Sequence, residues 1–160
     1  RIKRSIRIKI ATIKYLSDQE IERLKKIQLV KPYLESKAKE IAEANEKNGA
    51  DRSMIINGRN LTNVGVFRIY IDEYLKSNPF LHPEMTMMVR QLEPQNDGMP
   101  LEIYTFTNDT LWRNYERIMA DIFDHILAAV PYFDLEVFES PSSADFKSFL
   151  NGISSSPQLN

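Results

Sequence analysis

The first residues alternate between apolar and polar side chains, a pattern that predicts a β-strand with one face in the core. In "RIKRSIRIKI" only Arg4 interrupts the apolar face, and the other face is mostly basic. We expect this strand to run to about Ile13. Its apolar face consists of Ile2, Ile6, Ile8 and Ile10.

The pattern becomes helical after Ser17. The stretch "SDQE" is a capping box, in which Ser17 and Glu20 bond each other's backbone amides. A charged helical stretch with a narrow apolar stripe follows to about Lys47, and Pro32 predicts a break near Lys31 because it lacks an amide proton. We expect residues 18–63 to form a helical insertion, an appended arm that packs on one side and stays outside the sheet. Its stripe consists of Leu24, Ile27, Leu34, Ala38 and Ile41.

A helix and a hairpin are predicted next. Thr62 or Asn63 caps a helix that ends near Ser77. In "MTMMVRQLEPQNDGMPLEIYTFT" two alternating strands flank a turn with Asp97–Gly98, where glycine adopts positive φ without strain. The spacing predicts that the helix buries Phe67, Ile71, Tyr74 and Leu75, and that the first strand alternates Met85, Met87 and Val89.

The second half of the chain carries the longest apolar stripe. We expect a helix that is capped by Asn108 or Asp109, ends at Pro131 and supplies the largest share of the core. The stretch "DLEVF" then predicts a short final strand. After Ser140 the chain is rich in Ser and Pro, and we expect a loose tail with a turn around Phe146–Leu150. The stripe consists of Leu111, Tyr115, Ile118, Ile122, Ile126 and Val130.

Without the insertion, the order of elements is βαββαβ, the ferredoxin-like split βαβ pattern. We therefore predict an α+β fold, a ferredoxin-like sandwich with a helical insertion after the first strand. Residues 1–140 form one α/β domain, with the insertion at 18–63, and residues 141–160 form a loosely ordered tail. In this topology the first strand lies between the third and the fourth, so its basic residues should pair with Glu102 and Glu136.

Composition narrows the class of protein. The chain is 42% hydrophobic and 27% charged with a net charge of −1, as in globular proteins, and it lacks an apolar run of about 20 residues for a membrane helix. The absence of cysteine excludes disulfides and thiolate metal sites.

Residues 1–17 carry six bases and no acid, and residues 100–146 carry nine acids and two Arg. These ends can neutralise each other, whereas a nucleic-acid surface needs unopposed positive charge. The start at Arg1 suggests a fragment of a longer protein.

Asp121 and His125 are the one pair that resembles catalytic chemistry. A carboxylate four residues before a histidine on a helix can orient it for acid–base work or supply half of a metal site. The alternative, which we favour, is an exposed helix pair, since a metal site needs a third ligand and His82 lies in a proline-flanked loop. Tyr104 and Phe106 alternate on a strand, but "EIYTF" is acidic and lacks the glycine of an RNA-recognition motif. We therefore predict no catalytic, metal or cofactor site and no nucleic-acid partner.

Three stretches of the chain resemble a known family. They are "RIKRSI", "NLTNVGVFRIYIDEYLKSNP" and "MMVRQLEPQNDGMPLEIYTFTNDTLWRNYERIMADIFDHILAAVPYFDLEVFE". Together they resemble the small-conductance mechanosensitive ion channel (MscS) family, and "LEPQNDGMPLEIYTFTND" with "ADIFDHILA" is similar to its miniconductance, YbdG-like branch. The likeness covers most of residues 1–140, and residues 18–63 correspond to an insertion that distinguishes this branch.

The resemblance implies a piece of the cytoplasmic region of a channel that opens under membrane tension during hypoosmotic stress. The family's membrane helices and Sm-like β domain have no counterpart here, and no residue matches a pore or gate position. In the family such domains form homo-oligomers, typically heptamers, below the pore on the cytoplasmic side of the inner membrane. Inorganic ions and small osmolytes pass through them.

Other function classes stay open. A ferredoxin-like regulatory domain that binds a small ligand is the alternative, and a nucleic-acid module is the third. An enzyme ranks last.

Overall fold

The computed structural model describes residues 1–154, and helices and strands are both present, as the α+β prediction requires. Two short 3-10 turns, Ile10–Thr12 and Val130–Phe133, complete the regular structure of this part of the chain. In order, the strands and α-helices are β1 (Ile2–Ile8), α1 (Asp18–Leu24), α2 (Lys31–Lys47), α3 (Asn63–Lys76), β2 (Met88–Gln91), β3 (Met99–Thr105), α4 (Trp112–Ala129) and α5 (Ser143–Ser154).

The three strands form one antiparallel sheet in the order β1-β3-β2. The hairpin of β2 and β3 turns at Gly98, whose φ of 100° favours glycine, and an added Cβ there would lie 2.6 Å from the Ile8 carbonyl oxygen. The prediction of a turn at this position is confirmed.

The predicted fourth strand is reduced to a single bridge between Ile8 and Val137. Two backbone hydrogen bonds of 2.8 Å flank it, from Lys9 N to the Glu136 oxygen and from Phe138 N to the Arg7 oxygen. The first strand also ends at Ile8 instead of near Ile13, because the chain enters the 3-10 turn at Ile10. Beyond Ile8 the segment after α4 therefore has no strand to pair with.

The core lies between the inner face of the sheet and the helices. Arg4, the one polar residue on the inward face of β1, places its guanidinium 4.8 Å from the centre of the Phe123 ring, a cation–π contact that explains the interruption of the apolar pattern. The stripe prediction fails at Leu111, which precedes the helix and is 66% exposed. The stripes that are confirmed as buried are Phe67, Ile71 and Leu75 of α3 and Ile118, Ile122 and Ile126 of α4.

Helix α4 begins later than predicted, and neither Asn108 nor Asp109 is its cap residue. Leu111 occupies the cap position without a side-chain bond. Asp109 instead accepts from the Leu111 backbone nitrogen at 2.8 Å and from the Asn114 amide at 2.7 Å. The carboxylate thus orders the turn before the helix and one side chain of its first turn.

The insertion has the predicted break, with Pro32 in the first turn of α2, and the capping box of Ser17 and Glu20 is present. It stays outside the sheet, as predicted, but it is more than an appended arm. Leu24, Val30 and Leu34 are at most 1% exposed and belong to the same core as the sheet. A narrow apolar stripe indicates packing on one side only. It does not indicate how deeply each side chain is buried, and these three lie in the core.

A cluster of four charged side chains joins the insertion to the end of α4. Lys14 lies 2.5 Å from Glu20 and 3.2 Å from Asp134, and Arg23 lies 2.7 Å from Asp134. The hydrogen bond from Lys14, followed by that from the Ser17 backbone, lowers the pKa of Glu20 to about 2. The same bonds to Glu20 and Asp134 raise the pKa of Lys14.

The predicted cross-strand charge pairs are right for one acid and wrong for the other. Lys9 lies 3.2 Å from Glu136, as expected. Glu102, in contrast, faces Ser5 on β1 and bonds to Arg90 of β2 at 2.7 and 2.8 Å. The register puts Ser5, not a base, opposite Glu102, and alternation alone could not supply that register.

Residues 143–154 form α5, where the sequence predicted a loose tail with a turn around Phe146–Leu150. The turn is thus part of a longer helix, and its apolar residues Phe146, Phe149 and Ile153 are 57–67% exposed. The rest of the predicted tail, residues 155–160, lies outside the described residues. The boundary at residue 140 stays a prediction.

We predict that Ile122→Ala lowers the free energy of unfolding by about 2–5 kcal/mol, because it empties a fully buried position at the centre of α4. Glu116→Ala on the same helix is the matched control, since Glu116 is exposed and its carboxylate accepts a hydrogen bond from the Trp112 indole at 2.9 Å. Urea unfolding of the two variants measures the difference. Equal shifts in midpoint would contradict the assignment of the buried face.

We predict that Glu20→Gln lowers stability by about 1 kcal/mol at pH 7, through the lost ion pair and weaker capping box. The folded pKa of Glu20, about 2, is below its ordinary value of 4.5, so this contribution is present above pH 4.5 and is lost as pH falls towards 2. Urea midpoints of both proteins from pH 7 to pH 2 should therefore converge. A constant difference across that range would show that the ionised carboxylate is not the cause.

Candidate functional site

An apolar groove opens where α3, α4, the 3-10 turn after α4 and the segment between α1 and α2 meet. Its volume is about 360 Å³, and it is lined by Ile27, Tyr70, His125, Ala128, Tyr132 and Phe133; we call it the apolar groove. Tyr70 and Phe133 are buried, with ring centroids 5.2 Å apart, and form its inner wall. Tyr132 is 69% exposed at its rim. A concave apolar site of this size with few polar groups is typical of a binding site.

His125 faces this groove and is held by two tyrosines of α3. The Tyr70 hydroxyl and the His125 Nε2 atom are 2.7 Å apart, in a hydrogen bond whose donor depends on the imidazole tautomer. The Tyr74 ring stacks on the imidazole, with centroids 4.0 Å apart and planes 8° from parallel. The sequence explains the geometry, because Tyr70 and Tyr74 are four residues apart on α3 and so lie on one face.

The structure does not bring Asp121 and His125 together. Among the described residues, no hydrogen bond or ion pair joins the two side chains. Asp121 lines a different cavity of about 290 Å³, with Tyr74 and Ile118. The exposed helix pair that we favoured is therefore not formed, and His125 contacts the tyrosines of α3 instead. The absence of a catalytic role stays a prediction.

Tyr70, Tyr74 and His125 form a cluster in which one hydrogen bond and one ring stack lie in apolar surroundings. Burial raises the pKa of the Tyr70 phenol. Burial, and to a lesser extent the nearby Tyr70 and Asp121, raise the pKa of Tyr74. A raised phenol pKa keeps the proton on oxygen near neutral pH and disfavours a phenolate base. The cluster can therefore orient a ligand or a packed side chain.

In residues 1–154, no three His, Asp or Glu side chains lie close enough together to hold a metal ion. His82 lies in the loop before β2, and its backbone nitrogen donates to the Phe106 oxygen at 2.8 Å. Within the same described range, no helix has the length and apolar character needed to cross a membrane.

A second surface feature is a loop that sequence reasoning passed over. Residues 54–56, a Met-Ile-Ile sequence that we call the apolar tip, expose 62%, 43% and 63% of their side chains. The signal in the sequence was three consecutive apolar residues between Asp51–Arg52 and "NGRN". That stretch is too short for its apolar residues to show the period of a helix or a strand.

Tyr104 and Phe106 pack edge to face with centroids 5.5 Å apart, and both are partly buried. Their rings contact each other, and Tyr104 lies between Lys3 and Met88 in the sheet.

A scan against models of known protein families finds no match for this chain.

We predict that Tyr70→Phe and His125→Ala each lower stability, and that a double-mutant cycle gives a coupling of about 0.5–1.5 kcal/mol, the range of one hydrogen bond. Asp121→Ala is the control on the same helix and should not couple to Tyr70→Phe. Urea unfolding of all variants measures the cycle. A coupling of Asp121 equal to that of His125 would contradict the assigned contacts.

Proposed function

We propose that this chain is a cytoplasmic domain of a mechanosensitive ion channel, with a ferredoxin-like core to which the insertion is added. In the parent protein it would lie on the cytoplasmic side of the inner membrane. The observation that carries the proposal is the block "LEPQNDGMPLEIYTFTND" with "ADIFDHILA", which resembles one branch of the MscS family. The first part of this block contains the turn that follows β2 and the whole of β3, and the second lies in α4.

The neighbours of β1 support the ferredoxin-like part of the proposal. β1 lies beside β3 on one edge, and through Ile8 it contacts Val137 on the other. A ferredoxin-like order places the first strand between the third and the fourth in the same way. The remaining difference is that β1 pairs with the segment after α4 through a single bridge, not along a full strand.

The parent protein, on this proposal, is a homo-oligomer, as in the resembling family, where heptamers are typical. Ions and small osmolytes are the permeants. The domains are held side by side by the membrane portion, and tethering of this kind raises the effective concentration to the millimolar range for short linkers. Contacts between isolated copies can then be weak and still close a ring in the intact protein.

The experiment expresses the natural polypeptide that contains this chain in a bacterial strain that has no mechanosensitive channels of its own. We expect survival of osmotic downshock and tension-activated currents in membrane patches. The variant Asp121→Ala with His125→Ala should retain both, because neither residue matches a pore or gate position of the resembling family. A polypeptide that reaches the membrane fraction and gives no current at any tension short of patch rupture would contradict the proposal.

A ligand-binding regulatory domain is the second candidate, and the observation that favours it is the apolar groove with its Tyr70–His125 hydrogen bond. Saturable binding of a small metabolite by the purified chain, abolished by Ala128→Trp, would favour this function over the first. Ala128 is exposed at the groove, so the larger side chain should fill it without disturbing the core.

A further inference from the structure

The dipeptide Asn–Gly occurs three times in the chain. Asparagine in this dipeptide loses its side-chain amide spontaneously, because glycine has no Cβ to hinder the attack of its backbone nitrogen on the preceding side chain. Since the three sites share one chemistry, differences between their rates in the folded protein come mainly from the surrounding structure. The sites are Asn48–Gly49, Asn57–Gly58 and Asn151–Gly152.

Deamidation at such a site requires only water as a co-reactant. The glycine nitrogen forms a bond to the asparagine Cγ, the bond from Cγ to Nδ2 breaks, and Nδ2 leaves as ammonia together with the proton of the attacking nitrogen. The product is a succinimide ring. Water then adds to one of the two ring carbonyls and opens the ring, which gives aspartate or isoaspartate without oxidation or reduction.

Ring closure depends on backbone freedom, because the asparagine ψ angle must rotate before the next nitrogen reaches Cγ. Where hydrogen bonds hold the residues after the asparagine, the segment must first open. The free energy of local opening ranges from near zero at fraying ends to that of global unfolding. Exposure does not distinguish Asn48 from Asn57, since both are exposed. The hydrogen bonds around each site therefore decide its rate.

Asn48 caps the C-terminal end of α2, with a φ of −89° and a ψ of 1°. Among residues 1–154 its side chain forms no hydrogen bond. Gly49 follows with a φ of 63°, and a Cβ added there would meet no atom within 4 Å. Rotation of the Asn48 ψ angle breaks two bonds at the helix end, where opening costs least. These bonds run from Gly49 N to the Glu46 oxygen at 3.1 Å and from Ala50 N to the Asn45 oxygen at 3.0 Å.

Asn57 is constrained by hydrogen bonds within its loop. Its Nδ2 atom donates to the Asp51 oxygen at 2.7 Å. Its backbone oxygen accepts from the Arg52 guanidinium. The same guanidinium donates to the Ile55 oxygen at 3.1 Å and to Asn60 Oδ1 at 2.7 Å. Rotation at Asn57 must therefore break a bond of its own side chain and displace the oxygen that Arg52 binds.

Gly58, the residue that would attack Asn57, is also closely packed. Its φ is 84°, and a Cβ added there would collide with the Oδ1 atom of the buried Asn45. The Asn45 side chain bonds to the backbone nitrogen and oxygen of Arg59 at 2.8 and 3.0 Å. A movement of Gly58 towards the Asn57 side chain must therefore disturb a buried amide and its two bonds.

We propose that Asn48 is a site of spontaneous deamidation in this protein and that the fold protects Asn57 from the same reaction. Conversion at Asn48 places a carboxylate at the C-terminal end of α2, where the helix dipole disfavours negative charge. Isoaspartate also lengthens the backbone by one methylene, so the bonds of Gly49 and Ala50 cannot both keep their geometry. Aged copies of the chain therefore have a more negative and looser end of α2.

Peptide mapping of the folded and the unfolded chain tests the site. The purified chain is kept in warm, mildly alkaline buffer with and without guanidinium chloride, and trypsin then separates the two sites by cleavage after Arg52. Mass spectrometry quantifies the asparagine that remains in each peptide. In buffer we expect Asn48 to convert at least about fivefold faster than Asn57. In guanidinium chloride the two rates should agree within about threefold, because the unfolded chain lacks the bonds that separate them.

Equal rates in the folded chain, or a faster reaction at Asn57, would overturn the proposal. A ratio as large in guanidinium chloride as in buffer would also overturn it, since the order would then come from the neighbouring residues in the sequence and not from the fold. Asn151 lies within α5, and its rate reports only on the opening of that helix.

Arg52→Lys tests whether the bonds around Asn57 provide its protection. Lysine keeps the charge and the tryptic site but cannot form the forked bonds of a guanidinium. We expect the rate at Asn57 to rise several-fold while the rate at Asn48 stays unchanged. No rise at Asn57, or an equal rise at both sites, would contradict the assigned cause of the difference.

Asn48→Gln is the matched control for the signal at Asn48. Glutamine reacts much more slowly, because its longer side chain has to close a larger ring, and the substitution leaves Gly49 unchanged. The conversion should then disappear from the peptide that ends at Arg52. Its persistence at the original rate would show that Asn48 is not the site.

Discussion

The side chain of Asn63 is the point at which three distant segments of this chain meet. It is fully buried; its Oδ1 atom accepts from the Lys14 backbone nitrogen at 2.9 Å, and its Nδ2 atom donates to the oxygens of Thr12 at 2.9 Å and Phe133 at 3.1 Å. A buried amide left without such partners costs about 1–3 kcal/mol, so its bonds hold the segments together. The segment that follows β1, the start of α3 and the turn after α4 are thereby fixed to one another.

The positions of the surrounding features follow from this junction. Lys14 and Asp134 are each adjacent to segments that Asn63 holds, and they meet at 3.2 Å; Glu20 and Arg23 then attach the insertion to the same point. Asp134 adopts a left-handed φ of 54°, a conformation that Asp tolerates better than most residues. The turn that precedes it delivers Phe133 to the inner wall of the apolar groove. The buried amide thus links the charged attachment of the insertion to the turn that forms the inner wall of the groove.

Local signals in the sequence predicted the parts of the fold that local chemistry decides. The capping box at Ser17, the break at Pro32 and the turn at Gly98 each require only neighbouring residues, and all three are present. The unpredicted parts depend on residues far apart in sequence. Alternation gave no register for Glu102, and "DLEVF" has strand-like residues but meets a partner strand that ends at Ile8. Asn63 was recognised only as a possible cap, because nothing local indicates that its amide reaches two remote segments.

In the candidate site, too, the features that the sequence did not predict depend on residues far apart in the chain. His125 was noticed for its spacing from Asp121, yet its contacts come from Tyr70 and Tyr74 on another helix, which no spacing within α4 can indicate. The apolar tip lies in a stretch too short for periodic analysis, and only the structure shows its exposure and the bonds of Arg52 that hold its loop. The proposed function rests on the resemblance of sequence blocks, and the structure adds two exposed features, the apolar groove and the apolar tip.

Hydrogen exchange of Asn63→Asp tests most directly whether one buried amide unites the insertion with the sheet. The substitution keeps the shape, removes two donors and introduces a buried charge, so we expect amides of both α2 and β3 to lose protection together, by roughly 2–4 kcal/mol. Asn45→Asp is the control, because Asn45 is also buried but its side chain bonds to the backbone of Arg59, in the loop after α2. It should loosen that loop alone. Loss of protection in α2 of Asn63→Asp while β3 remains fully protected would contradict the account, since the insertion would then unfold as a separate unit.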